Sequence, residues 1–261
     1  MPGLDANRLA ARLAHVPFVQ RIVVLETTES TNDDARRLAQ SGAPEGTVVL
    51  ADGQSAGRGR LGRSWDSSVG VGLYLSILLR PAETVERIGR YPIASAVAVG
   101  AACRELAGER VVLKWPNDVL AGGAKLAGIL TEMRQGSLAA DLVVGIGINV
   151  NHEATDFPET LRGAATSLRI LRQGVVVDRE TVALAVLEEL GATIAQIRGN
   201  GWREVAELFM SYAPDAAGRR VRLAAGGSGV TDGLDASGAL RVATASGVVL
   251  VHASDSVAIE E

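Results

Sequence analysis

The period of the hydrophobic positions changes repeatedly along the chain, and each change marks a predicted element. Residues 1–20 predict a short amphipathic helix ending before Pro17. The apolar run 22–26 (IVVLE) predicts a strand, after which Ser30 opens a helix with Asp33 at its third position and Gly42 as its stop. Residues 47–51 (TVVLA) form a second strand, and 72–80 (GLYLSILLR) a third, closed by Pro81. A long helix is expected over 86–107, with Ile88, Ile93, Val97, Ala101 and Leu106 on one side. Residues 110–115 (RVVLKW) read as a strand stopped by Pro116, and 125–133 with 141–150 as a hairpin pair. The clearest helical period runs over 178–198: Asp178 is the N-cap, and Val182, Val186, Leu187, Leu190, Ile194 and Ile197 share a face. A shorter helix, 201–212, ends before Pro214.

Strands dominate and helices intervene irregularly, so the expected fold is α/β of the α+β type, a mixed or antiparallel sheet with flanking helices. After residue 214 the texture becomes short β runs separated by Gly, Asp and Ser turns, which predicts a small barrel over 215–261 and a domain boundary near 214.

Composition narrows the function. The chain has 261 residues, 47% hydrophobic, with a formal net charge of −4. A general polyanion binder is usually basic, so a nucleic-acid partner is disfavoured. There is no run of 18 apolar residues to cross a membrane and no signal-peptide pattern at the start. The one cysteine, Cys103, can form no internal disulfide, and a reducing, cytoplasmic setting is expected. The three histidines, His15, His152 and His252, have no metal-ligand spacing.

The positive charges are unevenly written. Of 26 basic residues all but Lys114 and Lys125 are arginine. Arginine serves wherever a charge merely solvates a surface, whereas a compact ammonium fits a tight polar pocket that a planar fork does not.

Four segments carry candidate chemistry. Ser30, Thr31 and Asn32 place three small hydrogen-bonding side chains at a helix start, either to hold a polar uncharged group or simply to cap the helix. Residues 54–65 hold Gln54 and then three glycines and three arginines within 57–63 (GRGRLGR). Such a loop is expected to hold no fixed shape unaided and to be ordered by a multiply charged anion gripped by guanidinium forks. It lacks the lysine of a P-loop, and an RNA-binding arginine–glycine tract is the competing class. Lys114, Asn117 and Asp118 cluster round Pro116, with Lys125 eleven residues beyond Lys114. Gly145 and Gly147 interrupt an apolar strand that ends in Asn149, as if to let a ligand or another backbone approach closely.

In this order and spacing, GRGRLGRSW (57–65), KWPNDVL (114–120), KLAGIL (125–130) and GIGINV (145–150) resemble the biotin protein ligases, with STN (30–32) and Gln54 fitting the same pattern. The resemblance implies a catalytic domain of the class II synthetase-like α/β fold over 1–214, followed by a small SH3-like barrel. It implies activation of biotin by ATP with Mg²⁺ to biotinyl-5′-AMP, and then transfer to a lysine of a biotin carboxyl carrier protein, a subunit of an acyl-CoA carboxylase. Ser30, Thr31, Asn32 and Gln54 would hold the ureido end of biotin. Gly57, Arg58, Gly59 and Arg60 would close over biotin and the phosphates, and Arg63 would help on ATP. Lys125 would contact the biotin carboxylate and the α-phosphate, Asn117 and Asp118 would line the reaction centre, and Asn149 would reach the nucleotide. Arg58, Asp118 and Lys125 are the implied catalytic residues. Only about 20 residues precede the first predicted strand, too few for the winged-helix repressor domain that some members carry. A lipoate or octanoate ligase of the same fold is the alternative, and it would leave the polar set of 30–32 and Gln54 unexplained.

Overall fold

The computed structural model describes residues 3–107, 111–135, 140–253 and 256–259. Its main sheet has seven strands in the order β1-β2-β3-β7-β6-β5-β4. These are β1 (Arg21–Thr28), β2 (Thr47–Gln54), β3 (Gly72–Leu79), β4 (Val111–Lys114), β5 (Asp118–Ala121), β6 (Ala124–Gln135) and β7 (Ala140–Asn149). The first two strands run parallel, joined over one face by helix α2 (Thr31–Gln40), and every other pairing is antiparallel. The expected mixed sheet with flanking helices is therefore present, and the two runs expected to form a hairpin are β6 and β7, paired in register from Ala127↔Ile148 to Gln135↔Ala140.

Strand alternation gives the sheet two unlike faces. One presents Leu73, Leu75, Ile77 and Leu79 of β3 with Leu142, Val144, Ile146 and Ile148 of β7, all in the main core. Helix α3 (Arg90–Ala107) and helix α5 (Arg179–Arg198) belong to that core, and both are apolar over most of their length. Each fully buried Leu, Ile or Val contributes about 1.5–3 kcal/mol relative to exposure, which makes this face the main source of stability. Asp178 caps α5, as its side chain accepts a hydrogen bond from the Thr181 amide.

Several expectations need correction. The first helix, α1 (Ala6–Arg12), is one short piece capped by Asp5. The long helix begins at Arg90, after a separate turn at Val85–Arg87, where residue 86 was expected. With this start Pro92 falls in the first turn, where a missing N–H removes no helical hydrogen bond; a start at 86 would put it in the interior. Two strands had no sequence signal. Strand β5 is four residues long and opens with a polar Asp, and β9 (Ser228–Leu234) carries two glycines and an Asp. Residue 110, the start of a predicted strand, lies outside the described residues.

A four-residue helix α4 (Leu168–Leu171) and helix α6 (Trp202–Tyr212) complete the helices. The C-terminal part forms a five-stranded antiparallel sheet, β11-β10-β9-β8-β12, adding β8 (Ala217–Leu223), β10 (Leu240–Thr244), β11 (Gly247–Val251) and β12 (Val257–Ile259). It is a small β unit of the kind expected after residue 214. Its buried Val221, Leu240, Val242 and Val251 join the same apolar cluster as the main sheet, and the Trp115 indole donates to the Gly238 carbonyl at 3.1 Å.

Candidate active site

The second face of the main sheet changes character along its length. Beneath α2 it is apolar, where Val49, Leu78 and Val143 pack on Ala35 and Ala39. Further along the same face of β7 come Gly145, Gly147 and Asn149, and β6 adds Gly128. Where bulky side chains stop rising from the sheet, a cavity of about 710 Å³ opens.

Ser30, Thr31, Asn32, Gln54, Arg58, Gly59, Arg60, Arg63, Asn117, Asp118, Lys125 and Asn149 all line this cavity, so four separate sequence segments converge on one place. Gly57 is the predicted residue that does not. A Cβ at Gly57 would stand 2.5 Å from Ser67 Oγ and from the Trp65 carbonyl, and 3.0 Å from Gln54 Nε2. Its smallness lets the loop fold back beside Gln54.

At one end of the cavity the polar side chains interlock. The Gln54 carbonyl oxygen accepts from the Thr31 amide (2.9 Å) and hydroxyl (3.1 Å), while Gln54 Nε2 donates to Ser67 Oγ (2.9 Å). Ser76, buried on β3, stands 2.7 Å from Thr31 Oγ1 and 2.5 Å from Asn32 Oδ1. Ser30 occupies the N-cap position but makes no side-chain cap bond. Ser30 lines the cavity, so the plain helix-cap reading does not account for it.

The arginine–glycine loop is tied down by contacts within the chain. Trp65 N–H donates to the Gly57 carbonyl (2.9 Å) and Gly59 N–H to the Arg63 carbonyl (2.7 Å), closing a tight turn with Leu61 and Gly62 at positive φ. Arg58 adds the side-chain anchor. Its guanidinium meets Asp33 through both terminal nitrogens (2.5 and 3.0 Å) and reaches Glu132 at 3.1 Å. The Arg58 hydrogen bond holds the Asp33 carboxyl below the usual carboxylate range against the opposing effect of burial, and Asp33 in turn raises the guanidinium. Arg60 donates to Asn117 Oδ1 (3.0 Å), and Asn117 Nδ2 donates to the Ile129 carbonyl (2.7 Å), fixing the turn before β5 against β6.

Lys125 lines the same cavity beside Asp118. Its ammonium pairs with Asp118 Oδ1 at 2.7 Å and lies 5.5 Å from the Trp65 ring centroid. The Lys125 backbone bonds to Ala164 and Thr166, and its carbonyl accepts from Asn149 Nδ2 at 3.3 Å. Lys114 also lines the cavity, so both lysines of the chain face the same space.

The glycines of β7 turn out to serve side chains of this same chain. A Cβ on Gly145 would fall 2.2 Å from Asn32 Oδ1, and one on Gly147 2.5 Å from Trp65 Nε1. Each glycine lets one side chain of this chain come close to the sheet, and both glycines also line the cavity. The Trp65 Nε1 is buried with no hydrogen-bond partner.

Sequence reasoning missed Glu132, Ser76 and the C-terminal contributors Asp215, Val221, Thr231 and Val257, the last four of which complete the wall. Asp33 had been noticed only for its place in the helix. Glu132 had one available signal, a lone carboxylate in an otherwise apolar strand run.

The lining dictates the ligand class. Arg58, Arg60, Arg63, Lys114 and Lys125 outnumber Asp66, Asp118 and Asp215, although the chain is acidic as a whole. Apolar surface comes from Trp65, Leu130, Phe157, Leu161 and Val257. A molecule with an apolar body, a polar uncharged end and an anionic end suits such a cavity.

Residues 24–149 match the family model described as the biotin/lipoate A/B protein ligase family. The chain is 36% identical over 270 residues to a biotin–[acetyl-CoA-carboxylase] ligase of Mycobacterium tuberculosis, spanning 98% of this chain and 96% of that one. It is 36% identical over 239 residues to the bifunctional ligase/repressor BirA of Bacillus subtilis, covering 90% of this chain and 73% of that protein. Among solved structures, the biotin protein ligase of Aquifex aeolicus in complex with biotin and ATP superposes with a TM-score of 0.77 at 30% identity, covering 92% of this chain and 98% of the other.

Proposed function

Because the chain belongs to the biotin protein ligase family, we propose that it activates biotin with ATP and passes the biotinyl group to a lysine of a carboxyl carrier domain. The observation that carries this is the convergence, on one cavity, of the Thr31–Gln54–Asn32 polar cluster at one end and Lys125 with Arg60 at the other. Biotin has an uncharged urea, an apolar body and a carboxylate, in that order. Lipoate has no urea, and its pocket would have no use for the interlocked amides.

In the first step the biotin carboxylate attacks the α-phosphorus of ATP, a P–O bond forms, and pyrophosphate leaves. Negative charge gathers on the α-phosphate oxygens, and Lys125, Arg60 and Arg63 are the groups that stabilise it. Mg²⁺ would be held by the phosphate oxygens of the nucleotide and would share in neutralising their charge; among the described residues no group of three or more His, Cys, Asp or Glu is poised to bind a metal by itself. Asn149 and Asn117 border the nucleotide part of the cavity. In the second step a carrier lysine attacks the carbonyl of the mixed anhydride, an amide forms, and AMP departs. The lysine must lose a proton. Asp118, already paired with Lys125, is the carboxylate at hand to orient that amine and take the proton. Meanwhile the loop over the cavity keeps water from the adenylate. In this reading residues 1–214 carry the chemistry and 215–261 form a small unit that closes one side of the nucleotide site.

The test is pyrophosphate release from the purified protein with ATP, Mg²⁺ and either biotin or lipoate. Release with biotin alone is expected. Release with lipoate alone would overturn the assignment of the polar end, and no release with either, from folded protein, would overturn the reaction.

A further inference from the structure

We infer that Asp33 and Glu132 are positioning residues that fasten the arginine–glycine loop over the cavity through Arg58, and that Glu132 also sets the Asn32 amide, so one carboxylate serves both loop closure and headgroup recognition. The inference rests on the ligase reading above and extends it to two residues outside the recognised motifs.

The geometry carries it. Arg58 directs both terminal nitrogens at carboxylates: Nη1 to Asp33 Oδ2, and Nη2 to Asp33 Oδ1 and Glu132 Oε2. A guanidinium so engaged has no terminal fork left for a phosphate, which falls instead to Arg60 and Arg63. Arg58 thereby joins three pieces of chain: the loop, the first turn of α2 and strand β6. The side chains are 35% (Arg58), 29% (Asp33) and 28% (Glu132) exposed, so solvent screens these pairs less than it would on an open surface. Two neighbouring carboxylates also repel when the cation between them leaves, and Arg36, which contacts both, offsets this in part.

Glu132 has a second partner. Its Oε2 accepts from Asn32 Nδ2 at 2.7 Å, while Asn32 Oδ1 faces Ser76 and lies where a Cβ on Gly145 would be. The Asn32 amide is therefore fixed in orientation by Glu132 and Ser76.

A double-mutant cycle separates positioning from general structural damage. In the ligand-free protein, tryptic cleavage after Arg60 and Arg63 should be about five- to thirty-fold faster in the Asp33→Asn/Glu132→Gln variant than in wild type. With biotin and ATP, that variant and Arg58→Gly should both release free biotinyl-5′-AMP and label bystander lysines. Adding both carboxylate changes to Arg58→Gly should change little further. Glu132→Ala should raise the biotin KM well above that of Glu132→Gln, which keeps an acceptor for Asn32. Wild-type cleavage and adenylate retention in the double variant, or full additivity with Arg58→Gly, would overturn the inference while leaving the ligase reading intact. A wild-type protein that forms no adenylate would overturn both.

Discussion

Lys125 has two contacts to exchange when a ligand arrives: the Asp118 carboxylate at 2.7 Å and the Trp65 ring beneath it. An ammonium can swivel from Asp118 toward a phosphate without leaving its place, whereas a guanidinium is wider and planar. Lys125→Arg should therefore lower pyrophosphate release about a hundredfold or more, the range seen when one transition-state donor is lost; near-normal release would refute the role. Asp118→Asn should form adenylate yet transfer it slowly, as followed by single-turnover labelling of a carrier domain. Asp33 contributes to the acid response. Its folded pKa lies below the unfolded value, so it adds stability that is complete above the ordinary carboxylate range and lost as pH falls through the lowered value. Asp33→Asn should flatten the acid limb of stability against pH, measured by urea unfolding; an unchanged limb would count against the pairing with Arg58. Most of these residues were legible beforehand because chemistry-bearing side chains cluster within short stretches of chain. Glu132 was not, because its significance depends on facing Asn32, a hundred positions away.

At the scale of elements, the bare stretch of β7 is a seat for side chains. Gly147 receives the Trp65 indole, and Gly128 on β6 leaves only 3.1 Å between a would-be Cβ and the far edge of the same ring. Trp65 is thus held over two glycines and has no room to slide. Gly147→Ala should lift the indole and the loop bound to it, raising the biotin KM tenfold or more, while overpacking lowers stability by about 1–3 kcal/mol. Titration calorimetry with biotin and thermal melts would separate the two effects. The sequence pattern exposed Gly147, but its occupant Trp65 comes from a distant loop, which no local periodicity encodes. The same limit explains the strands. Apolar β3 and β7 were recognised from their own residues, whereas β5 and β9 are strands only because neighbours supply hydrogen bonds to short, polar segments.

For the whole molecule, binding feeds directly into stability, since a ligand held at a hundred times its dissociation constant adds about 2.7 kcal/mol. Biotin should raise the melting temperature, lipoate should not, and ATP should add to the effect of biotin; a shift with lipoate equal to that with biotin would contradict the assignment of the polar end. The overall architecture was readable from alternation and capping. The way its parts share one core was not: Val221, Leu240, Val242 and Val251 pack into the apolar cluster of the main sheet, where the sequence showed only a change of texture near residue 214.

The cavity wall draws on both sheets, with Lys125 and Asn149 from one and Thr231 and Val257 from the other. A molecule filling it acts as a tie bar between them, because it meets its full set of contacts only when the tail is seated. Part of its binding free energy is then also free energy of fastening the tail. Amides of β12 should exchange with solvent more slowly as ligand concentration rises, making the last strand of the chain a gauge of how full the site is.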